Sequence, residues 1–216
     1  MTLSVVYRKS GEGSIASFNF VDIATGTGFV DFYAGTSANR NLLRSNLWWS
    51  DTITTSGAAT SATFTKNIDK DFDVTFLKPT IIDGETVLNV PWAISSNISA
   101  KEFTSFVQAT VKKFDGTTET DLITASGAVL AFVSPGVVQR EYIDAFTIDI
   151  PRTNFRAGDT LRLTMEVWGK SEGGVLAIWY LGHDPKARAG NNDKDAFNWG
   201  TTPTTLLFQV PFKIDL

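Results

Sequence analysis

Thr160-Leu-Arg-Leu-Thr-Met-Glu-Val167 decides the fold class. Leu161, Leu163, Met165 and Val167 alternate with Thr160, Arg162, Thr164 and Glu166, a period of two that sets one face on a core and the other in water. Working outward, the C-terminal run repeats the pattern with Leu206, Phe208, Val210, Phe212, Ile214 and Leu216 on one face. Phe72, Val74 and Phe76 do the same, as do Phe146, Ile148 and Ile150, and more loosely Phe103, Val107, Ala109 and Val111. No segment places apolar residues at helical spacing. The chain reads as all-β with little or no helix.

Turn chemistry separates these runs. Thr25-Gly-Thr-Gly28 and Asp115-Gly116 read as hairpin turns, and Asp83-Gly84, Pro135-Gly136 and Ala157-Gly-Asp159 as further reversals. Pro211 lacks an N–H inside a regular strand, which predicts an edge position or a bulge. Around ten strands at this spacing predict a single antiparallel β-sandwich of jelly-roll or Greek-key type. No linker-like tract divides the chain, so residues 1–216 read as one domain. One internal echo is present: Phe72-Val74-Phe76 with Gly84 matches Phe146-Ile148-Ile150 with Gly158, as two copies of one β-arch.

Composition narrows the function. Of 216 residues, 43% are hydrophobic and 19% charged, enough apolar material for a large core. The net charge is -4, and basic residues such as Arg8, Lys9, Lys112, Lys113, Lys186 and Arg188 are scattered, which argues against nucleic acid as a partner. With no cysteine, disulfides and thiolate metal sites are excluded. Arg8 and Lys9 follow rather than precede the first apolar stretch, so the start does not read as a secretory signal. The longest apolar run, Val175–Leu181, is far short of the roughly 20 residues of a spanning helix, so no membrane partner is expected. Synthesis and assembly in cytoplasm follow as the expectation.

Candidate chemistry is sparse. His183 lies in Gly182-His-Asp-Pro185, where Asp184 as immediate neighbour is badly placed to orient it, and Asp-Pro reads as a turn starter. Asn67-x-Asp69-x-Asp71-x-Asp73 has calcium-loop spacing, but Val74 and Thr80 stand where glycine and glutamate are needed, so the run reads as a strand. The segment 182–202 carries Asp184, Asn191, Asn192, Asp193, Asp195, Phe197 and Trp199. Its oxygen ligands suit Ca²⁺ and Trp199 suits a sugar, but contact with a neighbouring subunit is the favoured reading. Asp184 and Glu166 are the carboxylates a hydrolase reading would use, and nothing positive supports it. The expectation is a chain that is not an enzyme and needs no cofactor.

Val175-Leu-Ala-Ile-Trp-Tyr-Leu181 is apolar on both faces. A strand of this kind needs its second face covered by a loop or by another subunit. Leu176, Ile178, Tyr180, His183, Asp184 and Trp199 are therefore the candidate subunit or ligand contacts. Trp48 and Trp49, adjacent in the strand-like run Asn41–Ile53, point one inward and one outward, the outward one serving as an interface anchor or a sugar platform.

Several stretches also carry a resemblance: Asp22–Gly35, Phe72–Phe76 with Gly84–Pro91, Ile150–Leu163, Glu166–Gly169 and Gly182–Pro185. Together they resemble β-sandwich structural proteins of tailed viruses. The resemblance implies a capsid-associated decoration, turret or minor capsid protein located in the virion. Its partners would be sister copies in a cyclic homo-oligomer and other capsid proteins. It supplies no catalytic residue. A carbohydrate- or receptor-binding module, as an adhesin or fibre, is the second reading, with a glycan as partner.

Overall fold

The computed structural model describes residues 27–96, 98, 100–133, 138–188, 199–200 and 202–213. Among them lie β1 (Thr27–Ser37), β2 (Arg40–Arg44), β3 (Thr54–Ala59), β4 (Thr65–Thr75), β5 (Thr80–Ser96) and β6 (Glu102–Phe114). The series continues with β7 (Glu119–Ser126), β8 (Leu130–Val133), β9 (Val138–Phe155), β10 (Thr160–Ser171), β11 (Ala177–Gly182) and β12 (Leu207–Lys213). The only helical element among the described residues is a 3-10 turn at Glu172–Gly174. Among the described residues no helix is long and apolar enough to cross a membrane.

Periodicity predicts an antiparallel arrangement of about ten strands; the structure has one mixed sheet of twelve. The mixing comes from one parallel pair, Leu42 with Asp73. It joins two antiparallel parts: β1, β2, β3, β5, β9, β11 and β12 on one side, and β4, β6, β7, β8 and β10 on the other. We call these the seven-strand and five-strand halves. Alternation specifies which face a residue takes but not which strand lies alongside it, so the Leu42–Asp73 contact was not legible.

Both halves contribute to one core. Leu88, Val90, Trp92 and Ile94 from β5 and Phe208 and Val210 from β12 pack with Val107 and Val111 from β6 and Leu161–Val167 from β10. Each large side chain removed from water there stabilises the fold by about 1.5–3 kcal/mol. The periodic residues that decided the fold class are thus the core.

The predicted β-arch pair exists, with altered register. β4 leads into β5 through residues 76–79 and β9 into β10 through 156–159, each crossing from one half to the other. The two crossings bond to each other: Phe76 N–H donates to Asp159 O (2.9 Å) and Gly158 N–H to Phe76 O (2.8 Å). Gly158 occupies the arch at φ 96°, where a side chain would be strained. Gly84 does not mark a reversal. It sits inside β5 at a bulge in the pairing with β9. Pro211 is also at a bulge, where the β12–β5 register shifts between Gln209 and Phe212, although β12 is an inner strand flanked by β5 and β1. Asp115-Gly116 makes the β6–β7 hairpin, with the Asp115 carboxylate accepting from Thr117 and Thr118 N–H. Residues 18–26 and 134–137, with their predicted turns, lie outside the described residues.

Candidate functional site

Two outward surfaces follow from the register. On the five-strand half, Arg162, Thr164, Glu166 and Trp168 of β10 align with Asp73, Asp71, Asp69 and Lys66 of β4 and with Lys112, Thr110, Gln108 and Phe106 of β6. This face is a lattice of ion pairs. The Arg162 guanidinium holds Asp73 at 2.8 Å and Glu119 at 2.6 Å, Lys66 holds Asp69 at 2.6 Å and Glu166 at 2.9 Å, and Lys112 holds Glu119 at 2.8 Å. The carboxylates with calcium-like spacing are spent in these pairs. Counting Asp69, Asp71, Asp73, Glu119, Asp121 and Glu166 against Lys66, Lys112 and Arg162, six acids meet three bases. Hydrogen bonds to Asp73 and to Asp69 raise the Arg162 and Lys66 pKa, and the bond from Lys112 lowers that of Glu119.

A patch on the seven-strand half presents a different character. Ser56 and Ala58 of β3 align with Tyr180 and Ile178 of β11, and these with Ala93 and Ser95 of β5. Across β5, Thr147, Ala145, Ile143, Glu141 and Gln139 of β9 align with Val87, Asn89, Pro91, Ala93 and Ser95, while Leu207 and Gln209 of β12 flank Asn89 and Val87. Glu141 is the single charge among these residues, and its carboxylate accepts from Gly200 N–H at 2.8 Å; further along the same face Glu85 aligns with Asp149, and Gln209 Nε2 donates to Asp31 at 2.8 Å.

The six predicted contact residues fall into two groups here. Tyr180 is 5% exposed and packs with Ile53, Ala93 and the fully buried Trp199, whose indole N–H donates to Thr54 Oγ1 at 2.7 Å. The protomer itself therefore covers that part of the two-sided apolar strand, and Trp199 is core rather than a surface ligand platform. Leu176 stays 46% exposed, with Ile178 half-buried beside it. Only these two of the six offer an accessible apolar surface. A long polar segment such as 182–202 gives no sign from composition that its tryptophan folds back.

His183 and Asp184 are fully buried. The imidazole lies 5.6 Å from the Phe72 ring, ring centre to ring centre, with Nε2 2.9 Å from Thr55 Oγ1. Its Nδ1 has no hydrogen-bond partner among the described residues. Burial disfavours the charged imidazolium and brings the pKa down to about 4. Asp184 turns away from it, accepting from Lys186 and Arg188 N–H and from the Arg188 guanidinium at 2.8 Å. The Asp-Pro turn reading holds: Ala187 N–H returns to Asp184 O at 2.9 Å.

Arg188 links this turn to the tandem tryptophans. Its Nη2 donates to Ser50 O at 2.7 Å, and its guanidinium lies 5.0 Å from the Trp49 ring centre. Trp49 is 68% exposed and Trp48 is buried, with the Arg44 guanidinium 4.5 Å from its ring centre. The inward–outward split is as predicted, but the reason differs, because 45–53 is a loop after β2 rather than a strand. Sequence reasoning missed the Arg188–Trp49 pairing; the two residues are too far apart in the chain for any local pattern to join them.

No protein-family model and no curated protein matches this chain. Solved structures do. An alpha-amino acid ester hydrolase matches with a TM-score of 0.53 at 9% identity, over 84% of this chain and 36% of that one. A CocE/NonD family hydrolase from Staphylococcus aureus matches at 0.46 and 15% identity, over 87% and 37%. The VP2 subviral particle of infectious bursal disease virus matches at 0.34 and 9%, over 88% and 37%. The first comparison shows a shared fold alone, and the other two scores are too low to carry an argument. The chain spans little more than a third of these solved chains. The expectation of a protein apart from enzymes is corrected by this result: its all-β fold occurs within a hydrolase chain. A noncatalytic reading drawn from the scarcity of motifs fails because a fold is shared by parts of many larger proteins.

Proposed function

We propose that the chain is a virion structural module of the tailed-virus type, a decoration, turret or minor capsid subunit that binds sister copies and the capsid shell. The observation that carries this reading is the contrast between the two outer faces. A chain of net charge -4 repels its own copies. The ion-paired face has three acids more than bases and would set like charges against each other. The patch around Leu176, Ile178, Ser95, Asn89, Ala145 and Ile143 carries Glu141 alone, with the acids Glu85, Asp149 and Asp31 beyond its edge. Self-association through the same patch on both partners requires self-complementarity, which an uncharged, small-residue sheet face supplies. Strand order supports the fold side of the reading: β3-β11-β5-β9 and β4-β10-β6-β7 are two four-strand runs of jelly-roll order, with β1, β2, β8 and β12 added.

Light scattering on the purified chain tests the proposal. The expected result is a closed oligomer that Leu176→Asp with Ile178→Asp converts to monomer, while Arg162→Met leaves it assembled. A wild-type monomer with no affinity for capsids would overturn it.

A second reading, a carbohydrate- or receptor-binding module such as an adhesin, is favoured by one specific feature, the exposed and anchored Trp49.

A further inference from the structure

We infer that Trp49 and Arg188 form a subsite for an acidic saccharide, a deepening that rests on the second reading above. The site is built rather than incidental. Ser50 Oγ accepts from Thr36 N–H at 2.8 Å, Asp51 N–H donates to Thr36 O at 2.7 Å, and the Asp51 carboxylate accepts from Ala38 N–H at 2.7 Å. The backbone that bears Trp49 is thereby fixed to the β1–β2 hairpin. Beneath it Trp48 fills the space left by Gly35, where a Cβ would lie 2.8 Å from the indole and 3.1 Å from Pro185. A fully buried carboxylate, Asp184, is committed to orienting Arg188.

Donor bookkeeping on Arg188 leaves one end open. A guanidinium has five N–H donors. Nε and one Nη2 hydrogen go to Asp184, and the other Nη2 hydrogen goes to Ser50 O. Among the described residues nothing accepts from Nη1, and the guanidinium lies 5.0 Å from the Trp49 ring centre, which leaves these donors for a ligand at the indole. A flat apolar ring next to a fixed charged donor suits a sugar, whose C–H face stacks on the ring while an oxygen accepts the hydrogen bonds. A protein anchor needs an apolar surround that excludes water. Trp49 has instead the exposed or half-exposed Ser45, Asn46, Asp51 and Thr52, with Leu47 the single other exposed large apolar residue in its loop. The preference for a carboxylate follows from local charge. In the stretches 44–52 and 184–188 that bear the site, Arg44, Lys186 and Arg188 outnumber Asp51 and Asp184 by three to two, in a chain that is acidic as a whole.

The test is calorimetric and tryptophan-fluorescence titration with galacturonate, glucuronate and sialyl oligosaccharides, each beside its neutral counterpart. At least one acid sugar should bind about tenfold more tightly than its neutral partner, the gain expected of a charge-assisted hydrogen bond. Trp49→Ala should lose about tenfold or more in affinity with an unchanged melting temperature. Equal binding of acid and neutral sugars would overturn the acidic subsite and leave the glycan reading standing. Equal binding by Trp49→Ala would overturn the site, and no binding across the panel would overturn both.

Discussion

The two outer faces are built on the same core with the same strand geometry, yet one is laced with ion pairs and the other holds an uncharged patch around Ile178, Ser95, Asn89 and Leu207, with acids such as Glu85 and Asp149 beyond it. On the five-strand half the outward positions Arg162, Thr164 and Glu166 were already legible as polar, although Trp168 and Phe106 share that face. On the seven-strand half the outward positions include Ile178, Ala93, Val87 and Leu207, and Trp199 packs with Tyr180. The lesson is energetic. Exposed ion pairs add little stability, with a median near 0–1 kcal/mol, so the charged face mainly determines what the molecule avoids. The uncharged face carries both the buried Trp199 cluster and the open Leu176–Ile178 surface.

The largest expected effect breaks the comparison from the uncharged side. Trp199→Ala removes a fully buried indole and strands the Thr54 hydroxyl, and should cost about 3–5 kcal/mol in urea unfolding. A cost below about 1 kcal/mol would mean that the cluster is a surface feature.

Next comes the seam between the halves, where His183 of the seven-strand side meets Phe72 of β4. Its surroundings include Lys70, which opposes protonation, and Asp184, which favours it. The neutral imidazole is held with a pKa of about 4, against about 6.5 when unfolded. Between these values the unfolded chain binds the proton and the folded chain does not. Its contribution is therefore complete above about pH 6.5 and is lost as pH falls toward 4, on the order of 3 kcal/mol in total. Unfolding midpoints followed from pH 7 to pH 4.5 should fall more steeply for wild type than for His183→Gln. Parallel curves would show that the imidazole is protonated in the fold.

The smallest effect sharpens the charged side. Arg162→Met should cost about 1 kcal/mol or less. The difference from wild type should shrink as salt rises from low to about 0.5 M, because exposed pairs are screened. A large, salt-independent loss would make the ion-pair lattice structural rather than marginal.

Much of the architecture was legible because strand burial is a local property. Leu161, Leu163, Met165 and Val167 face the core because alternate side chains on a strand point to opposite sides. The contact residues were less legible. Leu176 is accessible as read, but Tyr180 and Trp199 cover each other, a contact their positions in the chain could not disclose. Gly84 was read as a turn because glycine permits positive φ in bulges and reversals alike.

By itself the sequence determined an all-β chain, the identity of its core and the polarity of one outer face, since each depends on period and residue type. The tertiary structure alone decided the parallel Leu42–Asp73 pair that makes the sheet mixed, the folding of Trp199 onto Tyr180, and the placement of Arg188 against Trp49. Those depend on which distant segments become neighbours, and a free energy summed over long-range contacts leaves no local periodic trace.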